Sequence, residues 1–134
     1  MTVFVDASAL VAIAAREPDA LALADVLAAE PGRLCSAIAL WETTAGLCRS
    51  YMFSVESAAS RVKLLGELFG LQMVSIGERE YDLALRAYAQ FGKGRHPAGL
   101  NMGDCFAYAC AKANVAALLC KGEDFVKTDI RIAG

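Results

Sequence analysis

Four carboxylates are distributed along the chain so that folding can bring them together. They are Asp6 at the end of TVFVD, Glu42 in ALWETTAGL, Asp104 in LNMGDCFAYACA and Asp124 in LLCKGEDF. Each lies beside the end of an apolar run or near the head of a helix-like segment. Acids gathered at one point repel one another, and without a cation at least one must take up a proton. A donor set of oxygens alone, with no cysteine or histidine, suits a hard divalent ion such as Mg²⁺ or Mn²⁺. Such an ion prepares water for attack and offsets the charge that builds on a phosphate during displacement.

Each acid also has an ordinary structural reading. Asn101 and Asp104 are spaced as the N-cap and third residue of a capping box, where the helix dipole favours negative charge. Asp124 in KGEDF suits a turn. Glu42 borders the stripe Ile38, Trp41, Ala45, which places it between core and solvent, where pairing with Arg49 is the plainer alternative. Asp6 is harder to explain this way, because aspartate is disfavoured in strands and a buried strand end has no use for a charge. Glu123 and Asp129 compete with Asp124 for the fourth acidic position.

The elements that must position these residues follow from pattern. TVFV reads as a strand, with a helix from Ala7 to Ala15 after it. Pro18 and Asp19 open a second helix to about Glu30, and Pro31-Gly32 ends it before a brief strand, RLCS. Ser36 caps a helix in which Ile38, Trp41, Ala45, Cys48 and Met52 recur at spacings of three and four, a stripe expected to face the core. Ser54 caps VESAASRVKLLGELF, Gly70 closes it, and LQMVSI reads as the third strand. A helix from Glu78 to Phe91 follows.

GKGRHPAGLN, Gly92 to Asn101, has three glycines and a proline and reads as a loop. Beyond it come the helix bearing Asp104, the buried strand VAALLC, the turn KGEDF and a short last strand or tail, IRIA. Strands alternate with helices, with no internal repeat or linker. The expected fold is therefore a three-layer α/β/α sandwich around a mostly parallel sheet of about four or five strands, forming one domain over residues 1–134. In such sheets, strand carboxyl ends and the following helix amino ends share one edge, where ligands bind.

Composition limits the alternatives. Hydrophobic residues make up 57% of the 134 and charged residues 21%, yet no apolar run approaches the length of a membrane span. The amino terminus lacks a basic region before its apolar run, so a cytoplasmic protein is expected. Five cysteines without a CxxC pair, and a single histidine, point to buried free thiols rather than a zinc knuckle. The net charge of −2 excludes nucleic-acid binding through global positive charge. The cations cluster from Gly92 onward, with Arg95, Lys121 and Lys127 placed to meet phosphates if a polyanion binds. His96, before a proline in the loop, reads as structural.

With the segments VFVDASAL, ALWETTAGL, GKGRHPAGLNMGDCFAYACA and LLCKGEDFVKTDI in hand, the chain resembles the PIN-domain ribonucleases over nearly its whole length. Among these it is most similar to the VapC-type toxins of bacterial toxin–antitoxin pairs. The resemblance implies an endoribonuclease that holds Mg²⁺ or Mn²⁺ with Asp6, Glu42, Asp104 and Asp124. It also implies that Ser8 and Asn101 orient the carboxylates, that the chain forms a homodimer, and that a VapB-type antitoxin inhibits it by placing an arginine among the acids. Three rivals remain. An aspartyl-nucleophile phosphatase needs a second acid two residues after the first, where DAS supplies Ser8. A receiver domain needs an aspartate after a central strand, and LQMVSIG lacks one. A catalytically silent PIN-like binding module would keep the fold without the reaction.

Overall fold

The computed structural model describes residues 1–134. Four parallel strands run β1 (Thr2–Val5), β2 (Gly32–Cys35), β3 (Gln72–Met73) and β4 (Ala117–Leu119), ordered β3-β2-β1-β4. Six α-helices connect them: α1 (Ala7–Ala14), α2 (Ala20–Ala29), α3 (Ala37–Tyr51), α4 (Val55–Phe69), α5 (Glu78–Phe91) and α6 (Met102–Ala113). None is long and apolar enough to cross a membrane. β1 sits between β2 and β4, with Phe4 opposite Leu34 on one side and Leu118 on the other.

The β1 side chains explain the layering. Phe4 points to one face, where Leu34, Leu118, α5 and α6 close over it. Val3 and Val5 point to the opposite face, against α1, Leu27 of α2 and Leu119. Alternation along a strand with both faces covered gives the three layers. α3 and α4 extend the second layer, joining α1 through Leu47, Val62, Leu65 and Ala14. The chain leaves β1 toward β2 and β3, then crosses back to place β4 on the far side, so the topological switch lies between β1 and β4.

Most expected elements form, with two differences. LQMVSI shrinks to a two-residue strand, Gln72–Met73, both side chains exposed at the sheet edge. IRIA adds only a parallel bridge between Ile132 and Leu118. The stripe on α3 is a correction. Trp41 is 70% exposed and Met52 90%, while the buried face is Ala39, Thr43, Gly46 and Leu47. α3 lies close against α1, where a Cβ on Gly46 would come within 3.2 Å of Val11. Close approach of two helices selects small residues for the inner face, and the bulky ones are left to look outward.

Candidate active site

The site forms where β1 and β4 end. Asp6 follows β1 as the N-cap of α1, and its backbone N–H bonds to Leu119 O at 2.9 Å. One carboxylate oxygen, Oδ2, accepts from the Ser8 amide at 3.0 Å and the Ser8 hydroxyl at 2.6 Å. The Ser8 hydroxyl in turn accepts from the Lys121 amide at 2.9 Å, which ties the turn after β4 to the end of β1. Asp6 is only 4% exposed.

Asp104 repeats the pattern on α6. Its Oδ2 accepts from the Asn101 amide at 3.1 Å, and Asn101 Oδ1 accepts from the Asp104 amide at 2.9 Å, closing a capping box. In each aspartate Oδ2 fastens the side chain to a helix start, while Oδ1 accepts no side-chain hydrogen bond.

Glu42 arrives from α3. It lines a cavity of about 420 Å³ with Asp6, Asp104, Ser8 and Asn101. Its approach to α6 depends on Gly103, where a Cβ would lie 1.8 Å from Glu42 Oε2. Gly103 was readable in LNMGDC as a glycine in the first turn of a helix, a place where glycine costs helix stability and so asks for a reason. Glu42 does lie at the edge of the buried face of α3, but that face is the small-residue one rather than the stripe beside which the sequence placed it.

Burial raises the pKa of all three carboxylates, and neighbouring acids add to the rise at Glu42 and Asp104. Burial first, then the charges of Asp6 and Asp104, lift Glu42 to about 7, with Arg49 opposing. Burial, with Asp6 and Asp124 adding to it against the Asn101 hydrogen bond, lifts Asp104 to about 6. Burial also raises Asp6, against its Ser8 hydrogen bonds. None of the three enters an ion pair. Three acids without a cationic partner fit a hard divalent ion, although no three acids are drawn around a single point as a ready-made shell. Cys120 stands nearby with its thiol pushed up to about 12 by burial and by Asp6, Asp104 and Asp124, so it stays protonated and the donors remain oxygens.

The other sequence candidates separate. Asp124 is exposed in the turn after β4; it acts on Asp104 through its charge but does not line the cavity. Asp129 is engaged elsewhere, accepting from the Tyr108 hydroxyl at 2.6 Å and from Lys112 at 3.3 Å, and these bonds hold its carboxyl below the usual range. Glu123 is exposed. Arg95 stacks over the Tyr88 ring at 5.0 Å, and neither it nor Lys127 lines the cavity. Lys121 does line it, but its ammonium is bonded to Glu17 and Asp19. His96 Nδ1 accepts from the Ala98 amide at 3.0 Å and shapes the loop. Glu17 and Ser50, which also line the cavity, carried no signal in sequence because their segments have no motif spacing.

A doubly covered parallel sheet with unpaired carboxylates at its switch point defines an α/β protein whose acidic edge suits a cation. The chain belongs to the PIN-domain family, whose model matches residues 3–131. It is 40% identical to ribonuclease VapC30 of Mycobacterium tuberculosis, covering 94% of each chain. To ribonuclease VapC of Mycolicibacterium smegmatis it is also 40% identical, over 94% of this chain and 95% of that one. Its fold is similar to that of Mycobacterium tuberculosis VapC20, described as a sarcin-ricin loop cleaving toxin, with TM-score 0.76, 16% identity and 99% and 100% of the two chains covered. It is also similar to VapBC-1 from nontypeable Haemophilus influenzae, with TM-score 0.73, 18% identity and coverage of 98% and 96%.

Proposed function

We propose that this chain is a Mg²⁺- or Mn²⁺-dependent endoribonuclease, the toxin of a toxin–antitoxin pair, acting in the cytoplasm and neutralised by a VapB-type antitoxin. The observation that carries the reading is the convergence of Asp6, Glu42 and Asp104 on one cavity with no cationic partner. The ribonuclease names of the VapC relatives and the toxin–antitoxin complexes among similar structures support the substrate and the partner.

In this reading Asp6 and Asp104 would hold the cation, Glu42 would complete the set, and Asp124 would add charge from the turn after β4. When bound, the ion supplies a water of lowered pKa and offsets charge on the phosphate. Ser8 and Asn101 keep the two aspartates oriented and favour their ionised form by donating to Oδ2. Glu42, raised to about 7, is the acid best placed to take and return a proton near neutrality. An antitoxin arginine inserted among the acids would satisfy the charge the cation otherwise supplies.

The reading includes a homodimer. α5 presents Tyr81, Leu85 and Tyr88 outward at helical spacing, and with Met102 and Phe106 of α6 they line an apolar groove of about 250 Å³. Glu78 and Asp82 lie at the start of α5, with Arg79 paired to Glu80, while Arg86 lies in its second half and Lys93 and Arg95 lie just beyond its end. A two-fold axis would set the acidic start of one helix beside the basic end of the other.

The test is cleavage of total RNA by protein freed of any co-purified partner, with Mn²⁺ or Mg²⁺. Cleavage should stop with EDTA and be lost by at least about 100-fold in Asp104→Asn, which keeps the hydrogen bonds of the cap. Full activity in Asp104→Asn with its fold intact would refute the site.

A further inference from the structure

An acid pocket that works on a polyanion must also attract it, and the cavity has two cations in its wall, Arg49 and Lys121. They stand in opposite states. The Lys121 ammonium donates to Glu17 and, at 3.2 Å, to Asp19, and the Tyr51 hydroxyl donates to Glu17 as well. That rim of the cavity is bonded internally and uses its ammonium there: two carboxylates, one ammonium and a phenol bond to one another across the α1–α2 turn, the end of α3 and the turn after β4, with a net charge of −1 left over. Arg49 enters no ion pair. Its charge is felt by Glu42, yet the guanidinium is not joined to that carboxylate.

The geometry of α3 says where this free charge sits. Arg49 follows Glu42 by seven positions, close to two full turns, so both project from the same side of the helix about 10 Å apart along its axis. Ser50 lies beside it in the same wall. The planar fork of an arginine matches two oxygens of a phosphodiester, which an ammonium meets only as a point charge.

We propose that Arg49 is a phosphate clamp: its guanidinium takes the phosphodiester next to the one held over Asp6 and Asp104, so that single-stranded RNA enters across the carboxyl-terminal end of α3, with Ser50 at its side. Lys121 stays the internal counter-ion of Glu17 and Asp19 and contributes no phosphate contact. The inference rests on the ribonuclease reading and assigns the direction from which the strand reaches the acids.

The experiment measures Mn²⁺-dependent cleavage of a fluorescein-labelled, unstructured RNA oligonucleotide across a range of salt concentrations. It compares the wild type, Arg49→Gln, Arg49→Lys and Lys121→Gln. Arg49→Gln should raise KM by about tenfold or more with kcat within about twofold of wild type, the signature of lost substrate binding. It should also reduce the slope of log KM against log salt by about 0.7, the contribution of one phosphate contact on a single strand. Arg49→Lys should recover the slope but only part of KM, which separates a lost contact from a misfolded helix end. Lys121→Gln should keep the wild-type slope. An unchanged KM and slope in Arg49→Gln, or loss of the slope in Lys121→Gln instead, overturns the clamp while wild-type cleavage leaves the ribonuclease reading standing. If the wild type does not cut RNA with Mn²⁺, the ribonuclease reading falls and the clamp falls with it.

Discussion

Asp6 and Asp104 were legible as residues because their types were wrong for their surroundings: an acid closing a buried strand, and an acid at the lip of an alanine- and cysteine-rich helix. What could not be read was their electrostatic state, which depends on burial and on charges brought from distant parts of the chain. That state has a measurable sign. Glu42 rises from an ordinary 4.5 to about 7 and Asp104 from 3.8 to about 6, so the folded chain binds protons more tightly than the unfolded one. Without a cation, the contribution of these groups to stability is fully present below the unfolded values and is lost as pH rises through about 6 to 7. In EDTA, the thermal midpoint should therefore fall between about pH 5 and pH 8, and the fall should be shallower in Glu42→Gln, which cannot ionise. Added Mn²⁺ should stabilise most at the alkaline end, since the cation competes with protons for the same oxygens. Identical pH profiles for the wild type and Glu42→Gln would show that Glu42 does not carry the raised value.

At the scale of elements, the periodicity of α3 misled because a helix with two faces of apolar residues offers two candidate stripes. The larger side chains, Trp41 and Met52, suggested the inner one; the tight contact with α1 chose Ala39, Thr43, Gly46 and Leu47 instead. Size selection at a close helix contact depends on the partner and is invisible from one helix alone. The meeting of α3 with α6 at Gly103 is a second contact of this kind. Gly103→Ala should gain up to about 1 kcal/mol of helix propensity. The new methyl would occupy the space of the Glu42 carboxylate, the movable end of a flexible side chain. The expected result is a protein about as stable as the wild type by thermal melting, with RNA cleavage reduced by about tenfold or more because Glu42 is turned away. Normal cleavage with an unchanged melting midpoint would mean that Glu42 reaches the site by another path.

For the whole molecule, the alternation of strands and helices sufficed to fix the layers, and the wide sequence spacing of the acids suited a sheet edge. Strand order and the short β3 were not legible, because pairing partners are set by packing across the sheet rather than by the strands themselves. The outward face of α5 carries the self-association reading at this scale. The wild type should elute at twice the chain mass by light scattering, and Leu85→Glu combined with Tyr88→Glu should give a monomer that still melts cooperatively. A wild-type monomer at micromolar concentration would remove that face as an interface. The position of β1 has one further outcome, concerning the order in which the chain is made. The first strand lies between β2 and β4, and the Asp6 amide is tied to Leu119 O, while Ser8 is tied to Lys121. A ribosome that has synthesised the first hundred or so residues carries Asp6 and Glu42 but neither Asp104 nor the strand that fixes Asp6. The pocket closes only when the residues through Lys121 have emerged, so a nascent chain that stops short of them carries no assembled site.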